Sequence, residues 1–235
     1  LHNPEIPLPL EIYGEREASY GPNIFVDSQW QPFDAAIAEQ RKKTWSATSI
    51  IDGQAISEYT KEGATHQLES QNVLAPWNHN VKAGEVQYAN AEIANQAIEA
   101  AVAGQAAWQA VPAARRAEIL RKTADLYEEN YAELMALCQL EAGKTMQDSI
   151  DEIKEAVDFC RFYADEAERL AAEVNEITDL SGKSLRQVYK ARGTFVCISP
   201  WNFPLAIYTG QIVAALAAGN TVVAKPAEQT SLIAH

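Results

Sequence analysis

The sequence of 235 residues has no apolar run that approaches the roughly 18 residues of a membrane-spanning helix. No signal peptide is recognisable at its start. Basic residues are scarce, since 19 Lys and Arg stand against 32 Asp and Glu, which gives a net charge of −13. A nucleic-acid-binding surface would need a basic patch, so this balance argues against one. The acidity is instead typical of a solvated surface on a globular protein.

Cysteine is also rare. The three residues Cys138, Cys160 and Cys197 form no C-x-x-C pair, which argues against a zinc site or a redox-exchange motif. Their odd number favours free thiols in a reducing cytoplasm. Cys197 lies in an apolar run, where we interpret it as a small buried hydrophobe rather than as a nucleophile. The four His residues are scattered and lack the spacing of metal ligands, so we expect no metal site.

The glycine fingerprint G-x-G-x-x-G is missing, so the sequence does not support an ordinary dinucleotide phosphate loop. Residues 193–230 nevertheless predict a strand, a turn, a helix and a second strand. Residues 194–198 form a short apolar run of the kind found in buried parallel strands. Pro204 suits the first turn of a helix, and Gly219 suits its C-terminal stop. With a second strand predicted over residues 221–224, the stretch is one βαβ unit, the building block of a nucleotide-binding sheet.

Three polar residues follow the ends of these two strands, where ligands of open α/β sheets bind. Asn202 follows the first strand and offers a neutral N–H₂ donor that suits a developing oxyanion. Lys225 and Glu228 follow the second strand, and in dinucleotide-binding folds an acidic residue in that place binds the ribose hydroxyls. Taken alone, Asn202 could equally be a helix cap, and Lys225 with Glu228 could be a surface ion pair.

The motif SPWNFP at residues 199–204, followed by KPAE at residues 225–228, resembles the aldehyde dehydrogenase superfamily. The longer run from CISPWNFP to KPAEQT is similar to the pyrroline-5-carboxylate dehydrogenase part of bacterial proline utilization A. The likeness extends back to about Pro76 through WNHNVKAGEV, RRAEIL, LEAGKT and EAVDFCRFYA. Ala227 is a departure, because many relatives have Ser there, but it affects none of the expected roles.

The resemblance implies an α/β fold, namely the N-terminal half of an aldehyde dehydrogenase fold. In that fold a helical region precedes the first βαβ unit of a Rossmann-like NAD-binding sheet. The chain would then consist of a linker or arm (1–33), a helical part (34–183), and a flap strand with the start of the NAD-binding sheet (184–235). The nucleophilic Cys and the general-base Glu of the family come later than the last residue given, so we expect the chain to be a fragment.

The activity that the resemblance implies is the NAD-dependent oxidation of L-glutamate γ-semialdehyde, formed from pyrroline-5-carboxylate, to L-glutamate in proline catabolism. Asn202 would hold the oxyanion, and Phe203 would line the substrate channel. The expected cofactor-binding residues are Ile198, Ser199, Pro200, Trp201, Lys225 and Glu228. FAD would be a second cofactor only if a proline dehydrogenase domain lies upstream.

The resemblance also implies a homo-oligomer in the cytoplasm that acts on a small aldehyde. A strand predicted over residues 185–190, after a turn at Ser181-Gly182, would form the oligomerisation flap together with part of the arm. Two alternatives stay open. The chain could belong to a dehydrogenase for a different semialdehyde or aldehyde. It could also be a non-catalytic oligomerisation module.

Outside the βαβ unit, periodicity and capping residues predict mostly helices. The expected helices cover residues 34–45, the segment after an Asn90 cap, the segment from Pro112, residues 131–142 and residues 147–174, with brief strands between 46 and 88. The buried face of the last helix is expected to consist of Ile150, Ile153, Val157, Cys160 and Ala164.

Two further motifs of this region have plain structural interpretations. Gly143-Lys144-Thr145 looks like the end of a phosphate loop, but Cys138 stands where that loop needs Gly, so we interpret it as a helix end. The acidic residues of the last helix could hold a metal ion or act in catalysis, but we interpret them as an exposed helix face. These residues are Asp148, Asp151, Glu152 and Glu155.

Overall fold

The computed structural model describes residue 3, residues 5–173 and residues 175–235 of the chain. Residues 1, 2 and 4 of the predicted arm, and the predicted helix end at Val174, lie outside this description. The helices are α1 (Asp27–Gln40), α2 (Ala91–Ala110), α3 (Ala113–Glu129), α4 (Tyr131–Glu141), α5 (Met146–Ala172), α6 (Ala206–Ala217) and α7 (Ser231–Ala234), with short 3₁₀ helices at Pro9–Glu11 and Glu228–Thr230. None of the helices in the described part of the chain combines the length and the apolar character that crossing a membrane requires.

The strands form small sheets rather than one large one. They are β1 (Trp45–Ala47), β2 (Ser49–Ile51), β3 (Gln54–Ile56), β4 (Glu58–Lys61), β5 (Ala64–Gln67), β6 (Ser70–Ala75), β7 (Asn78–Gln87), β8 (Asn175–Thr178), β9 (Ser184–Gln187), β10 (Thr194–Ile198) and β11 (Thr221–Lys225). One sheet has the order β1-β7-β6, with β1 parallel and β6 antiparallel to β7. The antiparallel hairpins are β2–β3, β4–β5 and β8–β9.

The predicted βαβ unit is confirmed. Strands β10 and β11 pair in parallel, with Thr194 opposite Thr221 and Ile198 opposite Lys225, and α6 connects them. Gly219 has a φ of 84° directly after α6, the left-handed conformation that ends helices and that glycine adopts without steric cost. The carboxyl ends of both strands therefore meet at one edge of the sheet.

The core lies between the helices, mainly where α5 packs against α3 and α6. The predicted buried face of α5 is confirmed: Ile150, Ile153, Val157, Cys160 and Ala164 are all buried. Gly210 lets α6 approach α5 closely, because a Cβ atom there would lie 3.0 Å from ring carbons of Phe159. The helical region is thus the packed support of the βαβ unit.

Side chains of the helical region also satisfy the C-terminal carbonyls of α6, which have no partner within the helix. Trp108 Nε1 of α2 donates to the carbonyl of Leu216 at 3.1 Å. Arg116 Nε of α3 donates to the carbonyl of Ala217 at 3.0 Å. These contacts fix the end of α6 and hence the start of β11.

Part of the predicted arm packs against α3 and α5. The backbone N–H and the hydroxyl of Ser19 donate to the two oxygens of Asp158 at 2.9 and 2.8 Å. The N–H of Tyr20 donates to Glu128 at 3.0 Å, and the same carboxylate accepts from Arg161 at 2.8 Å. The arm and the two helices therefore share one hydrogen-bonded network.

The helix predicted over residues 34–45 is displaced in the structure. Helix α1 begins at Asp27 and ends at Gln40, and Trp45 belongs to β1. Pro32, which the sequence reading treated as part of an extended arm, lies inside α1. It removes one helical hydrogen bond, but the backbone of Val26 already accepts from Gln29 and Trp30 at 2.9 and 3.0 Å, so the helix starts before the proline.

Two boundaries of the last third also differ from expectation. Helix α6 begins at Ala206, so the buried Pro204 precedes the helix instead of lying in its first turn. Strand β9 ends at Gln187, earlier than the predicted residue 190. The turn at Ser181-Gly182 is confirmed, with Gly182 at a φ of 82°. The predicted division of the chain into an arm, a helical part and the start of the NAD-binding sheet, with boundaries at residues 33 and 183, stays a prediction.

Strand β10 is parallel as predicted, but the expectation that it is buried is wrong. Phe195, Val196 and Ile198 are 41%, 59% and 65% exposed, whereas Cys197 is buried. The physical reason is that β10 pairs with β11 alone in the described residues, so most of its surface has no neighbouring strand or helix.

Candidate functional site

The candidate site lies at the edge where β10 and β11 end. Ile198 stands opposite Lys225 in the strand register, and the N–H of Ser199 donates to the carbonyl of Lys225 at 3.1 Å. Residues 199–204, which we call the 199–204 turn, leave the sheet beside the start of the KPAE segment. The structure therefore brings these sequence-predicted residues to one edge, while their roles stay predictions.

Asn202 is exposed in the 199–204 turn. Its amide has no hydrogen-bond partner among the residues that the structure describes, which leaves its N–H₂ group available to a ligand. Trp201 and Phe203 flank it with exposed rings, while Ser199 is buried. The Ser199 hydroxyl is likewise without a partner in the described residues. The turn thus presents one neutral donor between two aromatic side chains.

Lys225 and Glu228 form an ion pair in which Lys225 Nζ lies 2.8 Å from Glu228 Oε1. Both side chains are exposed, at 48% and 64%. The hydrogen bond from Lys225 lowers the pKa of the Glu228 carboxyl below its ordinary value, so the group is a carboxylate near neutral pH. An exposed carboxylate with a neighbouring ammonium can accept and donate hydrogen bonds to a polyhydroxyl ligand.

Two contacts at this edge were missed by sequence reasoning. The hydroxyl of Tyr88 donates to the backbone carbonyl of Glu228 at 2.8 Å, which fixes the position of the KPAE segment. Gln211 Nε2 of α6 donates to the carbonyl of Ile198 at 3.2 Å. Tyr88 is 140 residues away from Glu228. No local pattern could have indicated that contact, because it depends on how the helical region packs against the sheet.

The interpretation of the acidic face of α5 as exposed is wrong for Glu152, which is only 1% exposed. Its Oε2 atom accepts from the backbone N–H groups of Leu205 and Ala206 at 3.1 and 2.9 Å. These groups lie at the start of α6, so Glu152 caps a helix that is far away in the sequence. The sequence signal that could have indicated this cap is Leu205. An apolar residue at the N-cap cannot accept a hydrogen bond, so the first N–H groups of the helix need an acceptor from elsewhere.

Lys144 lies between Glu152 and the 199–204 turn. Its Nζ atom is 2.8 Å from Glu152 Oε1, in an ion pair whose angles are not those of a hydrogen bond, and 4.3 Å from the centre of the Phe203 ring. The expected helix end at Gly143-Lys144-Thr145 is confirmed. Gly143 has a φ of 67°, and Thr145 Oγ1 caps α5 by accepting from the N–H of Asp148 at 3.2 Å.

A second buried glutamate plays the equivalent part for α7. The two oxygens of Glu141 accept from the N–H groups of Leu232 and Ile233, each at 2.8 Å. Burial raises the pKa of Glu141 from 4.5 to about 7, although the backbone donors act in the opposite direction. Glu141 has no ion-pair partner among the described residues, in contrast to Glu152.

Residues 63–235 match the family model described as the aldehyde dehydrogenase family. The chain belongs to the aldehyde dehydrogenase family. The bifunctional protein PutA of Salmonella typhimurium is 37% identical over 235 residues, which are all of this chain and 16% of that protein. This chain therefore spans about a sixth of the length of that relative.

Solved structures of proteins of the same family resemble this aldehyde dehydrogenase chain. Proline utilization A (PutA) from Bdellovibrio bacteriovorus has a TM-score of 0.83 at 32% identity, covering 94% of this chain and 22% of that one. A Thermus 1-pyrroline-5-carboxylate dehydrogenase with bound NAD has a TM-score of 0.82 at 29% identity. The match covers 93% of this chain and 41% of that one. The expected fold is confirmed: the chain matches the N-terminal part of the aldehyde dehydrogenase fold in these proteins.

The cysteines of this aldehyde dehydrogenase chain are all buried and unpaired. Burial raises the pKa of the Cys138 and Cys197 thiols, and it raises the pKa of Cys160 to about 12. A nucleophilic cysteine needs the opposite, a lowered pKa and access to substrate. The interpretation of Cys197 as a small buried hydrophobe is confirmed.

No group of three or more His, Cys, Asp or Glu residues is arranged to hold a metal ion in the part of the chain that the structure describes. Surface grooves lie away from the strand edge. One separates the arm from α5 and includes Arg16 and Phe162 in its lining, and another runs along α3 past Arg121. Neither groove includes residues of the candidate site, which lies at an exposed edge of the sheet.

Proposed function

We propose that this chain is the part of an NAD-dependent aldehyde dehydrogenase that supplies the oxyanion donor and the adenosine-ribose contacts. The substrate is L-glutamate γ-semialdehyde, formed from pyrroline-5-carboxylate, and the product is L-glutamate in proline catabolism. The observation that carries the proposal is the single strand edge that holds both the exposed Lys225–Glu228 pair and Asn202, whose amide has no hydrogen-bond partner among the described residues. The relatives named PutA and 1-pyrroline-5-carboxylate dehydrogenase support the choice of substrate.

The proposed role of Asn202 follows from its chemistry. A thiolate that attacks an aldehyde turns the carbonyl oxygen into an oxyanion, and a preorganised neutral donor stabilises that charge. The Asn202 amide is such a donor, and it loses no hydrogen bond to protein when it turns to the substrate. We propose that the thiolate comes from outside this chain, because each described cysteine is buried and burial raises its pKa. We therefore propose that the chain is a fragment of the complete dehydrogenase.

The residues at the end of β11 fit NAD. The Glu228 carboxylate can accept hydrogen bonds from the ribose hydroxyls, and Lys225 can donate to the same sugar. Because the pair is already exposed, its side chains can exchange partners without a large desolvation cost. Bound NAD would supply the hydride acceptor. Ile198, Ser199, Pro200 and Trp201 would line the cofactor on the side of β10.

Assembly and location belong to the same proposal. Hairpin β8–β9 carries exposed apolar side chains at Ile177 and Leu185, and Val188 and Tyr189 continue this surface. We propose that this surface packs in a homo-oligomer, as expected for a flap. The unpaired thiols favour a reducing cytoplasm. The burial of those thiols, which raises the pKa of each, also favours one alternative, in which the chain alone is a non-catalytic module.

Asn202→Ala in the full-length protein that contains this chain tests the oxyanion role. Loss of one oxyanion donor should lower kcat by roughly 10²–10³-fold, whereas the affinity for NAD should change little. Steady-state kinetics with glutamate semialdehyde measure both quantities. Asn72→Ala, which removes an exposed amide on β6, is the matched control. A kcat within a few-fold of wild type for Asn202→Ala would contradict the assigned role.

The purified 235-residue chain should be catalytically inert by itself. All three of its cysteines are buried and none has a lowered pKa, so we expect none of them to form the covalent adduct. The measurement is NAD reduction with glutamate semialdehyde, monitored by absorbance. Reduction above that of a Cys197→Ala variant of the same chain would show that the nucleophile is internal and that the fragment proposal is wrong.

A further inference from the structure

Helix α6 begins without a cap of its own. The first N–H groups of a helix have no acceptor within it, and Ser, Thr, Asp or Asn usually supplies one. The N-cap of α6 is Leu205, whose side chain cannot accept a hydrogen bond. Leu205 and Ala206 are buried, so water cannot replace the missing acceptor. The start of α6 therefore depends on an acceptor from elsewhere in the molecule.

Glu152 is that acceptor. One carboxylate oxygen receives both N–H groups, from Leu205 at 3.1 Å and from Ala206 at 2.9 Å. A carboxylate at a helix N-terminus is also stabilised by the helix dipole. The contacts are made in a buried environment, where hydrogen bonds to a charged group are strong and their loss is costly. The position of residues 205 and 206 is thus fixed by a residue of α5.

Lys144 extends this arrangement into the 199–204 turn. Its ammonium lies 2.8 Å from the second oxygen of Glu152 and over the ring of Phe203 at 4.3 Å. The side chain is only 12% exposed, and its backbone lies between α4 and α5. A cation over an aromatic face is an attractive contact. Lys144 therefore joins the buried carboxylate to the residue that follows Asn202.

The turn that carries Asn202 is consequently held on both sides. On its N-terminal side, the backbone N–H of Ser199 donates to the backbone carbonyl of Lys225 at 3.1 Å. On its C-terminal side, Glu152 holds Leu205 and Lys144 contacts Phe203. We infer that Glu152, with Lys144 as its counter-ion, is a positioning residue for Asn202. It sets the place of the oxyanion donor without touching the substrate.

This inference rests on the proposed function for its kinetic readout, and its contacts can be tested without it. Catalysis is sensitive to small displacements, since a misplacement of about 1 Å can cost 10²-fold in rate. In Glu152→Gln, one face of the side chain becomes an N–H₂ group. However the amide is turned, that group meets either the backbone donors of α6 or the ammonium of Lys144, so the arrangement is broken.

The matched control is Glu141→Gln. Glu141 is also a buried carboxylate that accepts two backbone N–H groups at the start of a helix. It caps α7, which follows β11, and among the described residues it forms no hydrogen bond or ion pair with the 199–204 turn. Both variants lose a buried cap, so an effect on packing alone would be similar in the two. A difference in catalysis between them isolates the positioning effect.

The contacts are tested first, by hydrogen exchange with mass spectrometry on the full-length protein. Glu152→Gln should accelerate exchange in peptides that contain residues 203–206. Glu141→Gln should accelerate it in peptides that contain residues 231–234 instead. Unchanged exchange at 203–206 in Glu152→Gln would overturn the inference. This result does not depend on the substrate, so it stands even if the wild type fails to oxidise glutamate semialdehyde, a failure that would refute the proposed function alone.

Kinetics then test the link to Asn202. Glu152→Gln should lower kcat by at least about tenfold, while the KM for NAD stays within twofold and Glu141→Gln retains its kcat. In an Asn202→Ala background, Glu152→Gln should lower kcat by no more than about twofold, because the donor that it positions is gone. An equal loss in both backgrounds, or no loss in either, would overturn the inference. If Glu152→Gln does not fold, Lys144→Met must give the same non-additive result.

Discussion

Two lysine–glutamate pairs lie near the strand edge, and they share their residue types and the distance between their charged atoms but differ in burial and in hydrogen bonding. Lys144 and Glu152 are 2.8 Å apart, with side chains 12% and 0% exposed. Lys225 and Glu228 are also 2.8 Å apart, with side chains 48% and 64% exposed. The same chemistry at the same distance therefore occurs once inside the protein and once in solvent.

The difference in burial gives the two pairs different uses. In the interior, each charge has lost its water and depends on its partner, so the Lys144–Glu152 pair holds the start of α6 and the turn that it contacts. At the surface, water competes with the partner, so Lys225 and Glu228 can leave each other for a ligand. We infer that the site combines a fixed pair that positions the oxyanion donor with a free pair that binds the cofactor.

The largest expected effect comes from removing one charge of each pair in the 235-residue chain. Lys144→Met leaves the buried Glu152 carboxylate without its counter-ion and should lower the free energy of unfolding by about 3–5 kcal/mol. Lys225→Met should leave it unchanged within error, since its partner is solvated. Urea unfolding of the wild type and both variants measures this. Equal destabilisation by the two substitutions would mean that burial does not distinguish the pairs.

The sequence was informative wherever the physical cause is local. Asn90 caps α2 by accepting from the N–H of Ile93 at 3.0 Å, as its residue type predicts. Gly143 and Gly219 end their helices in the left-handed conformation. The apolar stripe of α5 was predicted from its spacing alone. In each case the deciding interactions lie within about one or two helical turns of the residue.

The sequence was misleading where contacts with a distant segment determine whether a residue is buried or where an element begins. Glu152 belongs to an acidic run that is typical of an exposed helix face, and it is buried only because the start of α6 packs against it. Residues 1–33 were predicted to form an extended linker or arm, although helix α1 begins within them at Asp27. At the site, the common edge of Asn202, Lys225 and Glu228 could be predicted from the parallel strands. The contact of Tyr88 with Glu228 could not.

Glu141 extends the comparison, because it is a buried helix-capping carboxylate that has no lysine partner among the described residues. Its pKa is raised to about 7 from 4.5, so the folded state retains a proton that the unfolded chain releases. The corresponding stability is fully present below about pH 4.5 and is lost as the pH rises through about 7. By pH 7 the loss should reach about 3 kcal/mol relative to Glu141→Gln, in which no charge can form.

Urea unfolding of the wild type and of Glu141→Gln between pH 4 and 8 gives the difference curve. The wild type should lose stability relative to the variant as the pH rises. A difference that is independent of pH, or one that grows in favour of the wild type, would contradict a raised pKa at Glu141. Glu118→Gln, in an exposed ion pair with Arg115 on α3, is the control for a surface carboxylate.

The smallest expected effect concerns the exposed pair and the choice of cofactor. Glu228 is suited to accept hydrogen bonds from a ribose 2′-hydroxyl. A 2′-phosphate in that place would bring like charges together and would leave the carboxylate without its donor. Lys225 would offset part of the repulsion, so discrimination should be substantial but incomplete. We expect the full-length protein to prefer NAD over NADP by at least roughly tenfold in kcat/KM.

Glu228→Gln should narrow this preference, because it removes the negative charge and keeps the size of the side chain. The ratio of kcat/KM for the two cofactors, measured on the full-length wild type and on this variant, provides the test. Glu118→Gln should leave the ratio unchanged, since it neutralises an exposed carboxylate of the same kind elsewhere. Equal use of NADP by the wild type, or an unchanged ratio of kcat/KM in Glu228→Gln, would contradict the assignment of Glu228 to the ribose. The exposed pair would then be an ordinary surface ion pair, and the contrast with Lys144 and Glu152 would concern stability alone.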